Sequence, residues 1–121
     1  MHELSIAMGI IEIATEEAAR LGAERVTALH LKLGPLSGVV KEALEFSYEL
    51  ACEGTCVAGS QLIIQDVPVV IHCANCDEDR VAESIQNLRC DVCGELSADV
   101  RQGRELAVVA LEVEQPEVFV S

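Results

Sequence analysis

The sequence predicts an α+β fold: two helices packed on a three-stranded mixed sheet, with a small cysteine-bearing domain inserted into the chain. Three observations carry this. Residues 4 to 21 repeat apolar side chains at helical spacing, and residues 25 to 33 alternate at strand spacing. Two Cys-x2-Cys pairs, Cys73/Cys76 and Cys90/Cys93, then interrupt the chain between its last two runs rich in Val, Ile and Leu.

In the first helix Leu4, Ala7, Ile11, Ala14, Ala18 and Leu21 follow the i, i+3, i+4, i+7 rule, while Glu12, Glu16 and Glu17 lie mostly off that stripe. Gly22 is the expected stop. The following strand sets Thr27, Leu29, Leu31 and Leu33 on one face and Val26, Ala28, His30 and Lys32 on the other, the pattern of a half-buried strand. Gly34-Pro35 breaks it, and Ser37 is placed to cap a second helix from about 39 to 51. The inward stripe of that helix is expected at Val40, Leu44, Ser47 and Ala51, with Tyr48 beside it. Pro68 divides the apolar run from Leu62 to Ile71, so a central strand should end near Val67. Leu106 to Val113 supplies the last strand. Residues 1–70 and 101–121 then form the main α/β domain and residues 71–100 the insertion; the apolar Val118-Phe119-Val120 tail can pack on its own chain or on a second copy.

Half of the 121 residues are apolar, which suffices for a packed core, although its aromatics are few: Phe46, Phe119 and Tyr48. No apolar run approaches the roughly 20 residues that span a bilayer, and the start lacks a basic segment followed by an apolar one, so a cytoplasmic protein is expected. The net charge of −13 comes from 21 acids against 8 Lys plus Arg. Proteins that bind nucleic acid need a cationic surface to displace counterions from phosphate, and the composition argues against that class. No nucleophile, acid–base pair or glycine-rich phosphate loop is in register for an enzyme.

Two residues between cysteines let both sulfurs of a pair reach one ion. Thirteen residues, Asp77 through Arg89, separate the pairs, enough for a turn and a return. Four thiolates suit tetrahedral structural zinc, giving a closed, zinc-ribbon-like domain with Cys73, Cys76, Cys90 and Cys93 as ligands. The segment has too little apolar content to fold alone, so metal binding would supply its folding free energy. The competing readings are a disulfide framework, which needs an oxidising compartment, and a thiol redox pair, which expects a helix N-terminus in a βαβ setting. His72 abuts Cys73 and is expected to be a bystander. Cys52 and Cys56 form a looser Cys-x3-Cys, read as partly buried thiols.

At the other end, the α-amine of Met1, the backbone amide of His2 and its imidazole can share one cation, a donor set that favours square-planar Ni(II) or Cu(II). Glu3 adds a further amide nitrogen, and its carboxylate can support the site. The bulk of His2 is expected to protect Met1 from removal. A histidine at position 2 is, however, most often a solvated terminal residue, and composition alone does not single it out.

The opening Met1-His2-Glu3-Leu4-Ser5 resembles that of the HypA/HybF family of hydrogenase nickel-incorporation proteins. The similarity continues through Leu33-Gly34-Pro35-Leu36-Ser37-Gly38-Val39, Glu42-Ala43-Leu44-Glu45-Phe46, Gly54-Thr55, Leu62 to Pro68, the four cysteines and Gly103-Arg104-Glu105-Leu106. The resemblance implies a nickel-binding α/β domain carrying an inserted zinc domain. It implies that His2 ligates nickel, with backbone nitrogens at His2 and Glu3 and the Met1 amine, and that Cys73, Cys76, Cys90 and Cys93 hold zinc. It further implies a nickel metallochaperone, not an enzyme, that delivers Ni(II) to the large subunit of [NiFe]-hydrogenase together with a maturation GTPase. Some family members also supply urease, and a homodimer is compatible with the chain. Val40-Lys41, Cys52 and Cys56 depart from the family pattern. The alternative is a zinc-ribbon protein–protein interaction module without nickel transfer.

Overall fold

The structure, a computed structural model, describes residues 3–114. The chain runs α1 (Glu3–Arg20), β1 (Arg25–Leu33), a 3-10 turn (Pro35–Ser37), α2 (Lys41–Ala51), β2 (Gln61–Asp66), β3 (Val70–Cys73), β4 (Glu78–Val81), β5 (Val100–Gln102) and β6 (Leu106–Glu114). One three-stranded sheet has the order β2-β1-β6 and a second the order β4-β3-β5. The α+β class is therefore observed: two helices, a first sheet built from the three longer strands, and a cysteine-bearing excursion between β2 and β6. The Val118-Phe119-Val120 tail lies outside the described residues.

The chain divides into two compact units. One comprises Met1–Leu31, Val40–Ile64 and Val108–Ser121; the other comprises Lys32–Val39 and Gln65–Ala107. The second is wider than the 71–100 expected from the cysteines. Its extra residues are recruited by backbone pairing: Gly34 N–H donates to the Glu105 carbonyl at 2.8 Å, Leu36 N–H to Gly103 at 2.7 Å, and Val67 N–H to Leu33 at 3.1 Å.

In the first unit, α1 buries Ala7, Ile10, Ile11, Ala14 and Ala18. Four of these belong to the stripe read from sequence. Leu4 and Leu21, at its ends, are half exposed, and Ile10 takes their place in the core. The helix closes at Gly22 (φ 69°), where Ala23 N–H reaches the Ala18 carbonyl and Gly22 N–H that of Ala19. This is a Schellman ending, which needs the left-handed backbone that glycine adopts without strain. α2 packs against α1 through Leu44 and Tyr48, with Cys52 and Val57 buried just beyond it.

Four expectations are corrected. Ser37 does not cap α2: it ends the 3-10 turn, and its Oγ accepts from Val39 N–H at 3.3 Å, so α2 begins two residues later than expected, after Val40. A carboxylate from the other helix serves that end instead, with Glu3 Oε1 accepting from Val40 N–H at 3.4 Å. Val40, placed on the inward stripe, stands outside the helix and is exposed. The strand ending before Pro68 is an edge strand; β1 is central, and Val26, Ala28, Leu29, Leu31 and Leu33 are buried on both of its faces, so it is more than half buried.

Tyr48 is the single tyrosine of a chain without tryptophan, and its hydroxyl is 2.6 Å from Ser60 Oγ. Burial pushes its pKa up to about 12, against the opposing pull of that hydrogen bond. The unfolded value is about 10. The folded state therefore holds this proton more tightly, and the stability so contributed is complete below pH 10 and lost as pH rises through 12. Tyrosinate absorbance during alkaline titration should rise near pH 12 together with unfolding; a transition near pH 10 with the fold intact would contradict the burial of this hydroxyl.

Candidate metal centre

The second unit has a small apolar core of Val69, Ile71 and Ala82, flanked by Leu36, Leu88 and Val100. On it stand two turns of the same construction. β3 and β4 pair antiparallel, with Cys73 opposite Glu78 at the mouth of the turn. Within that turn Cys76 N–H points at Cys73 Sγ (3.4 Å). In the second turn Val92 N–H points at Cys90 Sγ (3.4 Å), while Cys90 N–H donates to the Glu95 carbonyl at 2.9 Å. Each turn closes on a left-handed residue directly after its second cysteine: Asp77 (φ 54°) in one and Gly94 (φ 78°) in the other. This is why the chain needs two residues between the cysteines and a sharp reversal after them.

The two turns bring the four sulfurs together. All lie within 4.8 Å of one another, with Cys73 and Cys93 at 3.5 Å and Cys76 and Cys90 at 3.9 Å. Tetrahedral zinc with bonds of about 2.3 Å spaces its sulfurs about 3.8 Å apart. The four-cysteine cluster therefore fits zinc in both donor chemistry and spacing. Cys73 and Cys90 are buried and Cys93 is exposed, so one corner of the cluster faces solvent.

The electrostatics call for a cation. Backbone N–H groups of Cys93 and Val92 bring the Cys90 thiol down to about 6 against the cost of burial. Cys93 is lowered too, first by the backbone at Glu95 and then by Asn75. Cys76 is pushed up to about 12 by the sulfur of Cys93 and by burial. Two sulfurs, Cys90 and Cys93, thus favour the thiolate while the other two, Cys73 and Cys76, hold their protons more tightly, so the four do not all ionise together. A divalent ion removes that conflict, and each ligand must give up its proton to bind.

Arg80 is a contributor that the sequence pattern alone does not single out. It lies on β4, where the neighbouring sulfurs of Cys76 and Cys90 raise the pKa of its guanidinium, and it pairs with Glu78 at 2.9 Å. Its Nε is buried and has no hydrogen-bond partner among the described residues. The only sequence signal was the presence of two arginines, Arg80 and Arg89, in the short stretch between the cysteine pairs. One positive charge offsets part of the surplus negative charge of a four-thiolate zinc centre, so Arg80→Met should weaken zinc binding by about 10- to 100-fold. Competition with a chromophoric chelator measures this, and an unchanged zinc affinity would contradict it.

The remaining candidates are placed as follows. The imidazole of His72 turns to carboxylates, with Nδ1 at 2.8 Å from Asp79 and Nε2 at 3.4 Å from Asp77, and it is not one of the four clustered ligands. His30 Nε2 pairs with Glu112 Oε2 at 2.8 Å. Cys52 is buried, and burial raises its pKa; Cys56 Sγ lies 3.7 Å from Thr15 Oγ1. Met1 and His2 lie outside the described residues. Glu3 opens α1, its carboxylate held at the start of α2.

Fold and centre together define a small α+β metal-binding protein with a zinc-ribbon-like excursion. A family model described as "Hydrogenase/urease nickel incorporation, metallochaperone, hypA" matches residues 1–113. The hydrogenase maturation factor HypA of Chloroflexus aurantiacus is 46% identical over 112 residues, covering 93% of this chain and 98% of that protein. Its counterpart in a Roseiflexus species is 44% identical over 114 residues, covering 94% and 93%. The chain belongs to the HypA family of nickel metallochaperones in hydrogenase maturation. The solution structure of the Ni metallochaperone HypA from Helicobacter pylori shares the fold, with a TM-score of 0.67 at 23% identity over 96% of this chain and 100% of that one. Among the described residues no helix is long and apolar enough to cross a membrane.

Proposed function

We propose that this chain binds Ni(II) as cargo at its N-terminus and delivers it to the large subunit of [NiFe]-hydrogenase, while zinc in the four-cysteine centre holds the second unit together. The observation that carries the reading is family membership over residues 1–113 combined with a histidine at position 2. His2 is the principal nickel ligand, through its imidazole and backbone nitrogen, joined by the Met1 amine and the Glu3 amide. This donor set is rich in nitrogen and suits planar Ni(II), whereas the four thiolates suit zinc. Glu3, the neighbour of this site in sequence, opens α1, and its carboxylate accepts from Val40 N–H at the start of α2 at 3.4 Å.

Residues 1–70 and 101–121 are assigned to nickel binding and residues 71–100 to zinc, with Cys73, Cys76, Cys90 and Cys93 as the zinc ligands. The chain acts as a carrier and not as an enzyme, in the cytoplasm, where a maturation GTPase of the same pathway supplies any nucleotide hydrolysis. An N-terminal site leaves one face of the metal open, so nickel can leave by protonation of His2 or by exchange into acceptor cysteines. The test is transfer. Nickel-loaded, zinc-replete protein is mixed with the nickel-free hydrogenase large subunit, and the separated chains are analysed for metal. Nickel should move to the large subunit while zinc stays; nickel that remains on this chain would overturn the reading.

A further inference from the structure

α2 carries its most exposed apolar side chains on the wrong side for its own core. Leu44 and Tyr48 face inward, whereas Phe46 and Leu50, one helical turn apart, are 65% and 53% exposed. Along one border of that pair run the exposed carboxylates of Glu42, Glu45, Glu49 and Glu53. Glu45 and Glu49 are like charges four apart within α2, a spacing that destabilises a helix, and Glu53 follows just beyond its end. The last turn of α2 has no basic residue to answer either these acids or the negative end of the helix dipole. Beside this ridge lies a groove of about 320 Å³ lined by Glu45, Glu49, Tyr48, Cys52, Ser60 and Leu62, among others. The hydrogen-bonded hydroxyls of Tyr48 and Ser60 lie within it.

We propose that this face of α2 is a docking surface for a cationic amphipathic helix of a partner protein. Its apolar side chains cover Phe46 and Leu50, and its Lys or Arg side chains meet Glu45 and Glu49 at the groove. Charge complementarity selects this occupant. A second copy would present the same carboxylates and a net charge of −13, and like charges across an interface oppose association. An added cation, in contrast, relieves the repulsion within α2 and neutralises its C-terminal end. The recognition is of the helix-on-apolar-face kind, with anchors at i and i+4 and charge setting orientation. The surface lies wholly within the first unit and involves none of the proposed metal ligands, so it stands or falls independently of the nickel reading.

The test uses the full zinc-loaded chain and a labelled helical probe peptide of about 15 residues with Leu at i and i+4 flanked by Lys. Fluorescence anisotropy should show binding that weakens with added salt. Phe46→Ser and Glu45→Gln/Glu49→Gln should each weaken it by about tenfold. The control Glu12→Gln/Glu16→Gln, which removes two acids from α1, should leave affinity within about twofold of wild type. Equal losses in both glutamate variants would show attraction to bulk charge only and overturn the proposal, as would unchanged binding by Phe46→Ser. Sedimentation supplies the last arm: self-association that Phe46→Ser abolishes would make a second copy the occupant and also overturn it.

Discussion

Cys73→Ser is expected to abolish tight zinc binding and unfold the second unit while leaving the helices of the first in place. Cys73 is one of the two buried cysteines of the cluster, at the end of β3 and 3.5 Å from Cys93, and its sulfur also accepts from Cys76 N–H. A serine hydroxyl in that position does not ionise near neutral pH and is a poor zinc ligand. The unit has little else to hold it: a core cluster of three buried apolar residues with three partly buried neighbours, the buried side chains of Leu33 and Val67, and strands of three and four residues in its own sheet. Zinc binding in comparable small domains is worth on the order of 10 kcal/mol, far more than such a core supplies. Hydrogen exchange reads the outcome by segment. Amides of β3, β4 and β5 should lose protection in Cys73→Ser, and equally after zinc is chelated from the reduced wild type. Those of α1 and α2 should keep theirs. Wild-type protection across β3–β5 in the variant would mean that the apolar core, and not the metal, holds this unit.

The second large effect is expected at Gly34. Its backbone is in ordinary extended conformation, so conformational freedom is not what the position requires. Space is: a Cβ there would sit 2.1 Å from the carbonyl oxygen of Gly103 and 2.9 Å from the nitrogen of Arg104. Both neighbours are backbone, tied by Gly34 N–H to Glu105, Leu36 N–H to Gly103 and the Glu105 carboxylate to Gly103 N–H. Nothing can swing aside, and Gly34→Ala should cost about 3 kcal/mol or more, lowering Tm by about 10 °C. Gly9 is the contrast. It lies within α1, and a methyl group added there would meet nothing within 4 Å, so Gly9→Ala should stabilise by about 0.5–1 kcal/mol. Thermal melts of the two variants should move in opposite directions; a Gly34→Ala variant as stable as wild type would show that the contact relaxes.

These two sites also mark how much the sequence discloses. The bounds of β1 were legible to the residue, because nine positions of alternating strand formers are framed by Gly22 and by Gly34-Pro35. α1 was legible from its apolar period and its glycine stop. The metal cluster was legible because Cys-x2-Cys is a local geometry: each pair needs only its own turn, and both turns formed. What remained hidden depends on partners distant in sequence. The reach of Glu3 to Val40 displaced Ser37 as the expected cap, and no local pattern announces a cap supplied by another helix. The short strands β4 and β5, in which no residue of Glu78–Val81 or Val100–Gln102 is fully buried, lack the apolar alternation that marks a strand. Arg80 gains its significance from sulfurs that two separate turns deliver to it. Phe46 and Leu50 read as ordinary apolar residues until the helix turned them outward.

Calorimetric titration of nickel into the zinc-loaded protein, run beside His2→Ala, tests the central claim most directly. Wild type should take up about one nickel per chain, with an affinity that falls as pH drops through the range where the imidazole protonates. His2→Ala should lose that uptake while metal analysis shows its zinc retained. Equal nickel uptake by the two proteins, or none by either, would contradict an N-terminal nickel site.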